Sequence, residues 1–150
     1  MQEITFKPER SQYSYTFGGA KPVMTVKPGT LMRLWSEDAF NFALTKVDDL
    51  PSQKIDIRYV NPQTGPFFVE GAEPGDTLVL HIIELTPARS FGASSTIPFF
   101  GGLSATDRTA MLHEALPEAT WIYHVDTERN QVGFQSRFGD LEIALPIETM

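Results

Sequence analysis

The chain has 150 residues, 41% hydrophobic and 21% charged, the balance of a folded globular protein rather than a disordered one. Twelve Lys and Arg against nineteen Asp and Glu leave a formal charge of −7, and no basic cluster reverses it locally, so neither nucleic acid nor an anionic membrane is an expected partner. With no cysteine, disulfides, Cys-based zinc sites and thiol nucleophiles are excluded. The length corresponds to one domain, residues 1–150, able to bury roughly 70% of its unfolded surface. Met1–Arg10 carries no apolar leader, and the longest apolar run, Leu78–Ile83, is far short of the roughly 20 residues a membrane helix needs. The expectation is a cytoplasmic protein.

In chain order, the first predicted strand is Val23–Val26, followed by a turn at Lys27–Thr30. Pro presets φ at the second turn position and Gly accepts positive φ at the third, as a type II turn requires. Leu31–Trp35 is the next strand. The same arrangement returns 46 residues later, where Val69–Ala72 leads into the turn Glu73–Asp76 and the strand Thr77–Leu85. In that strand Leu78, Leu80 and Ile82 share one face and Val79, His81 and Ile83 the other, so it is expected to be covered on both sides. Arg89–Leu103, rich in Gly, Ser and Phe, reads as a long loop. Ser104 or Thr106 is positioned to cap a helix running to about Leu116, just before Pro117. Trp121–Val125 and Val132–Phe138 read as a hairpin around a polar loop, and Leu141, Ile143 and Leu145 alternate inward on a last strand. The class expected is mainly β, a jelly-roll-like β-sandwich with one short helix.

His81, His113 and His124 have no metal-motif spacing, and no nucleophile elbow, P-loop or dinucleotide fingerprint is present. The informative stretch is Asn61–Leu78, NPQTGPFFVEGAEPGDTL. Asn61 and Thr64 can orient a carbonyl or an amide by hydrogen bonds. Gly65, Gly71 and Ala72 let another backbone or a small ligand approach. Glu70 stands beside an apolar strand, where burial would raise its pKa toward acid/base work. Asp38 and Asn41, in the DAFN segment after a strand, form a carboxylate and amide pair able to bind a cation or a substrate amide. On spacing alone, turn building is the favoured reading of all of these residues.

These segments, KPVMTVKPGT, DAFN and above all NPQTGPFFVEGAEPGDTL, resemble the acetamidase/formamidase family of amide hydrolases. Phe100–Leu103 is similar to a glycine-bearing loop of the family, and Asp140–Pro146 to a strand that precedes its next block. The resemblance implies hydrolysis of formamide, acetamide or similar short-chain amides to carboxylate and ammonia, on a mainly β fold that depends on a divalent metal, zinc or calcium. It implies a catalytic role for Glu70 and substrate binding by Asp38, Asn41, Asn61, Thr64 and Gly65. It covers only the N-terminal half of the family pattern. The family's acidic and histidine block, the natural source of metal ligands and a general base, has no counterpart here.

Two functions remain open. One is an amide hydrolase, a homo-oligomer, whose site is completed by a second polypeptide, a removed C-terminal half or a neighbouring subunit. The other is a non-catalytic β-sandwich that binds a small molecule or a partner. Under the first, the chain on its own exposes an apolar surface where the rest of the fold docks, and self-associates through it.

Overall fold

A computed structural model describes residues 2–101, 115–137 and 139–148. All but the last two residues of the predicted helix, Ala115 and Leu116, lie outside that range, as does His113. Among the described residues the chain is mainly β with one short α-helix, and it divides into two compact units, Met1–Phe42 with Asp56–Glu84, and Ala43–Ile55 with Leu85–Met150.

The first unit holds four short strands, β1 (Glu3–Phe6), β2 (Met24–Val26), β3 (Leu31–Leu34) and β4 (Phe67–Val69), and short 3-10 turns at Arg10–Gln12 and Ile57–Tyr59. The Pro28-Gly29 turn forms as expected: Gly29 has φ +76° and the Thr30 N–H reaches the Lys27 carbonyl at 3.2 Å. It does not close a hairpin. β3 pairs in parallel with β1, and β2 in parallel with β4, so the two strands flanking the turn enter different sheets. Val26 is buried, and Phe6 of β1 meets Phe67 of β4 edge-on at 5.5 Å, joining the two small sheets.

The second Pro-Gly turn also forms, with Gly75 at φ +104° and the Asp76 N–H on the Glu73 carbonyl at 3.1 Å. The segment after it departs from the sequence expectation. Thr77–Leu85 is not a paired strand, and it is covered on neither side: Val79 is 84% and Leu80 79% exposed. Its alternation is a strand pattern, but among the described residues no backbone hydrogen bond joins it to another segment.

The second unit holds α1 (Pro51–Lys54) and an antiparallel sheet in the order β5 (Phe91–Thr96), β6 (Ala119–Asp126), β7 (Gln131–Gln135), β8 (Glu142–Pro146). Pro51 starts α1, where its missing N–H would have had no helical partner. The expected hairpin is β6–β7, with Tyr123 opposite Phe134 and Val125 opposite Val132. Two expectations fail. The segment after Arg89, expected to be a loop, contains β5, whose small residues lie against β6 and whose Ser94 hydroxyl bonds the Tyr123 hydroxyl at 2.8 Å. Propensity argues against a strand there, and pairing overrides it. Leu141, just before β8, and Ile143 and Leu145 on it are exposed rather than turned inward.

The tightest point of this unit joins residues 43–55 to the sheet. Leu44 is 1% and Thr120 0% exposed, and the Thr120 hydroxyl donates to the Asp49 carbonyl at 2.6 Å. The buried Asp49 carboxylate accepts from the Thr45 N–H at 2.9 Å, the Thr45 hydroxyl at 3.0 Å and the Lys46 N–H at 3.1 Å, with Lys54 at 3.7 Å. These donors, the Thr45 N–H foremost, hold its pKa below the ordinary carboxyl value. A depressed folded pKa gives stability that is complete above the unfolded value and lost as pH falls through the folded one. The melting temperature should therefore fall more steeply below about pH 4 in the wild-type chain than in Asp49→Asn, which has no carboxyl to titrate there. Parallel acid profiles of the two proteins would contradict this.

Candidate functional site

Two loops of the first unit, 35–42 and 59–66, bring most of the singled-out residues together. After β3 the chain turns on Asp38, whose Oδ1 accepts the N–H groups of Phe40 at 2.8 Å and Phe42 at 3.1 Å. The Asn41 N–H returns to the Asp38 carbonyl at 3.0 Å. Asn41 and Phe42 both adopt left-handed backbone, at φ +55° and +60°. Asn tolerates this conformation, but Phe is strained by it, so the loop holds strain that the Asp38 side chain offsets.

The second loop is tied to the first. Asn61, also left-handed at φ +54°, donates its N–H to the Ala39 carbonyl at 2.7 Å. The Thr64 hydroxyl donates to the Trp35 carbonyl at 2.6 Å. Asn41 Nδ2 donates to the Tyr15 hydroxyl at 3.2 Å, and Tyr15 meets Tyr59 edge-on at 5.2 Å. Next to Tyr59, the Arg58 guanidinium bonds Asp56 and lowers its carboxyl pKa to about 2. Asp38, Asn41, Asn61 and Thr64 thus belong to one bonded neighbourhood. Tyr15 and Tyr59 escape sequence reasoning. The alternation of Tyr13, Tyr15 and Phe17 is the available signal for the first of them.

Gly65 is buried at φ +120°, and a Cβ there would sit 3.3 Å from the Phe67 ring. Gly65→Ala is therefore expected to cost about 1–3 kcal/mol through strain and crowding, measured by urea unfolding. A neutral effect would show that this loop relaxes freely.

Glu70 lies elsewhere. Its N–H bonds the Val26 carbonyl at 2.8 Å at the end of β4, which fixes its backbone. Its side chain is exposed, so the burial expected from the sequence is not there. It lines an open groove of about 610 Å³ between the Lys27–Thr30 turn, the Val69–Glu73 turn and residues 76–80. Lys27, Glu73 and Asp76 share that groove, giving it charge of both signs. Among the described residues, no three His, Cys, Asp or Glu side chains come together to hold a metal ion. No helix among them is long and apolar enough to cross a membrane.

The profile of the acetamidase/formamidase family matches residues 17–139, which include both loops and the groove. The chain belongs to the acetamidase/formamidase family. Solved structures from the same family resemble it. An acetamidase from Yersinia enterocolitica is 31% identical with a TM-score of 0.74, over 96% of this chain and 43% of that one. A predicted acetamidase/formamidase from Thermoanaerobacter tengcongensis is 24% identical with a TM-score of 0.65, over 97% of this chain and 43% of that one. An acetamidase from Bacillus halodurans is 19% identical with a TM-score of 0.60, over 92% and 42%. No protein with a curated description matches significantly. This acetamidase/formamidase-family chain therefore spans well under half the length of the solved acetamidases it matches.

Proposed function

We propose that the chain contributes substrate-handling loops to a cytoplasmic amide hydrolase that converts formamide, acetamide or similar short-chain amides to carboxylate and ammonia. The observation that supports this most is the 31% identity to the Yersinia acetamidase along almost the whole chain. Amide hydrolysis requires an activated water and a stabilised oxyanion. In this reading Glu70 supplies acid/base or electrostatic assistance, while Asp38, Asn41, Asn61, Thr64 and Gly65 shape and line the amide pocket. Asp38 acts through the loop it organises, since its Oδ1 is occupied by backbone N–H groups.

The site is completed by the part of the family fold that this chain does not span, carried by a C-terminal half of the same protein, a second polypeptide or a neighbouring subunit, and the completed protein is a homo-oligomer. A divalent metal, zinc or calcium, belongs to this reading with ligands from that part, where it would polarise the amide carbonyl or activate the water. One observation favours a second reading, a non-catalytic binding or interaction module derived from the family: Glu70 is exposed, outside the bonded neighbourhood of Asp38, Asn41, Asn61 and Thr64.

Ammonia release from formamide and acetamide separates the readings, assayed with and without Zn²⁺ or Ca²⁺. The chain alone is expected to be silent and the completed protein active. Silence of both would support the binding module, and turnover by the chain alone would contradict the incomplete site.

A further inference from the structure

We propose that the Tyr15 hydroxyl and the Asn41 side-chain oxygen form a donor and acceptor couple that recognises a primary amide group. Tyr15 also sets which end of the Asn41 amide meets the ligand. This rests on the reading that Asn41 belongs to an amide-binding site. It adds Tyr15 to that site and names the feature of the ligand that is read.

Asn41 is held at both ends. Its backbone is left-handed at φ +55°, and its N–H lies on the Asp38 carbonyl at 3.0 Å. Its Nδ2 donates to the Tyr15 hydroxyl at 3.2 Å. An amide side chain has two ends of nearly equal shape, and the hydrogen-bond partner of one decides where the other points. With Nδ2 committed to Tyr15, Asn41 offers Oδ1, an acceptor that takes no donor among the described residues. The Tyr15 hydroxyl accepts from Asn41 and gives its own proton to none of them, so it remains a donor.

Tyr15 is fixed from two sides. Ser14 and Gln63 exchange backbone hydrogen bonds at 3.1 and 2.8 Å, which ties the Tyr15 segment to the second loop. The Tyr59 ring meets the Tyr15 ring edge-on at 5.2 Å. Tyr59 is flanked in turn by the Arg58 guanidinium, 5.5 Å from its ring centre and bonded to Asp56. Tyr15 and Asn41 are both half-buried. By contrast, the Thr64 hydroxyl proton is committed to the Trp35 carbonyl, and Asp38 Oδ1 to two backbone N–H groups.

A primary amide carries an N–H donor beside a carbonyl acceptor, the complement of Asn41 Oδ1 beside the Tyr15 O–H. A carboxylate has acceptors only and would set an oxygen against Asn41 Oδ1. An N,N-dialkylated amide has no N–H to give. A site built to bond an N–H discriminates strongly against a molecule that lacks it. The couple thus favours an amide over the carboxylate formed from it.

The test titrates the isotopically labelled 150-residue chain with acetamide, acetate and N,N-dimethylacetamide. NMR follows the Asn41 side-chain NH2 and the backbone amides of residues 38–42. Acetamide is expected to give saturable shifts there, and the other two to bind at least about tenfold more weakly. Tyr15→Phe keeps the ring and its contact with Tyr59 and removes only the hydroxyl. It should weaken acetamide at least about tenfold and leave acetate little changed, because the released Asn41 amide can turn Nδ2 toward the ligand. A loosened loop would instead weaken all three alike. Asn41→Asp is the second variant, since Asp also tolerates left-handed backbone. Its carboxylate would take the Tyr15 proton, and the preference for acetamide should vanish.

Equal binding of acetamide and N,N-dimethylacetamide would overturn the couple. So would wild-type acetamide affinity in both variants, a uniform loss for all three ligands in both, or no saturable shift up to about 0.5 M acetamide. A completed protein that releases ammonia equally well with and without the Tyr15 hydroxyl would also overturn it, while leaving the hydrolase reading standing. Acetamide bound through the couple in a completed protein silent toward amides would support the couple and count against the hydrolase.

Discussion

Glu70→Gln in the completed protein is expected to lower turnover of formamide and acetamide by about 100-fold or more, the usual cost of losing a general acid or base, with little change in KM. The substitution keeps the shape of the side chain and removes only its charge and proton. Because the Glu70 side chain is exposed and its backbone N–H is bonded to Val26, the variant should fold and melt like the wild type. That separates chemistry from structure. Glu70→Asp should recover part of the activity, since a carboxylate returns on a shorter arm. If kcat is unchanged, Glu70 has no part in the reaction, and the acid or base comes from the other polypeptide.

The largest stability effect is expected at Leu44. Leu44→Ala should cost about 2–5 kcal/mol, the range for deleting a fully buried aliphatic side chain. Among the described residues only Val26 and Leu44 are buried hydrophobic residues, so the chain has few such anchors to lose. Leu44 directly precedes Thr45, whose N–H and hydroxyl bond the Asp49 carboxylate. Leu80→Ala is the control. It deletes the same atoms from a side chain that is 79% exposed, and should change the stability of the chain alone by less than about 0.5 kcal/mol. Urea denaturation of both variants decides it. Equal costs would mean that Thr77–Leu85 is packed in solution.

The features legible in the sequence are those that local chemistry determines. Pro28-Gly29 and Pro74-Gly75 specify their turns through two residues each, and both turns are present. The β6–β7 hairpin is readable because its strands are close in sequence and its loop is polar. The parallel pairs are not legible. Glu3 lies opposite Leu31 and Met24 opposite Phe67, and nothing local marks partners that far apart. β5 escapes notice because Gly92, Ala93, Ser94 and Ser95 carry little strand propensity of their own.

Thr77–Leu85 is a different case. Its alternating pattern is that of a strand, and the residues carry it in full. The sequence does not show that none of the described residues pairs with it. The candidate site divides in the same way. Asn41 and Asn61 hold left-handed backbone and Asp38 caps its own loop, roles typical of these residue types. The meeting of the two loops through Ala39, Trp35 and Tyr15 depends on the tertiary fold, and so does the exposure of Glu70.

If this chain holds part of an amide-hydrolysing site, it needs the rest of the family fold to work. Titrating a fixed amount of the chain with the complementary Yersinia acetamidase portion, and reading ammonia released from formamide and acetamide, tests that most directly. No release is expected from either polypeptide alone, and release from the mixture should rise and saturate at one-to-one stoichiometry. Release by the 150-residue chain alone, or none at any ratio in a mixture shown to form the complex, would contradict it.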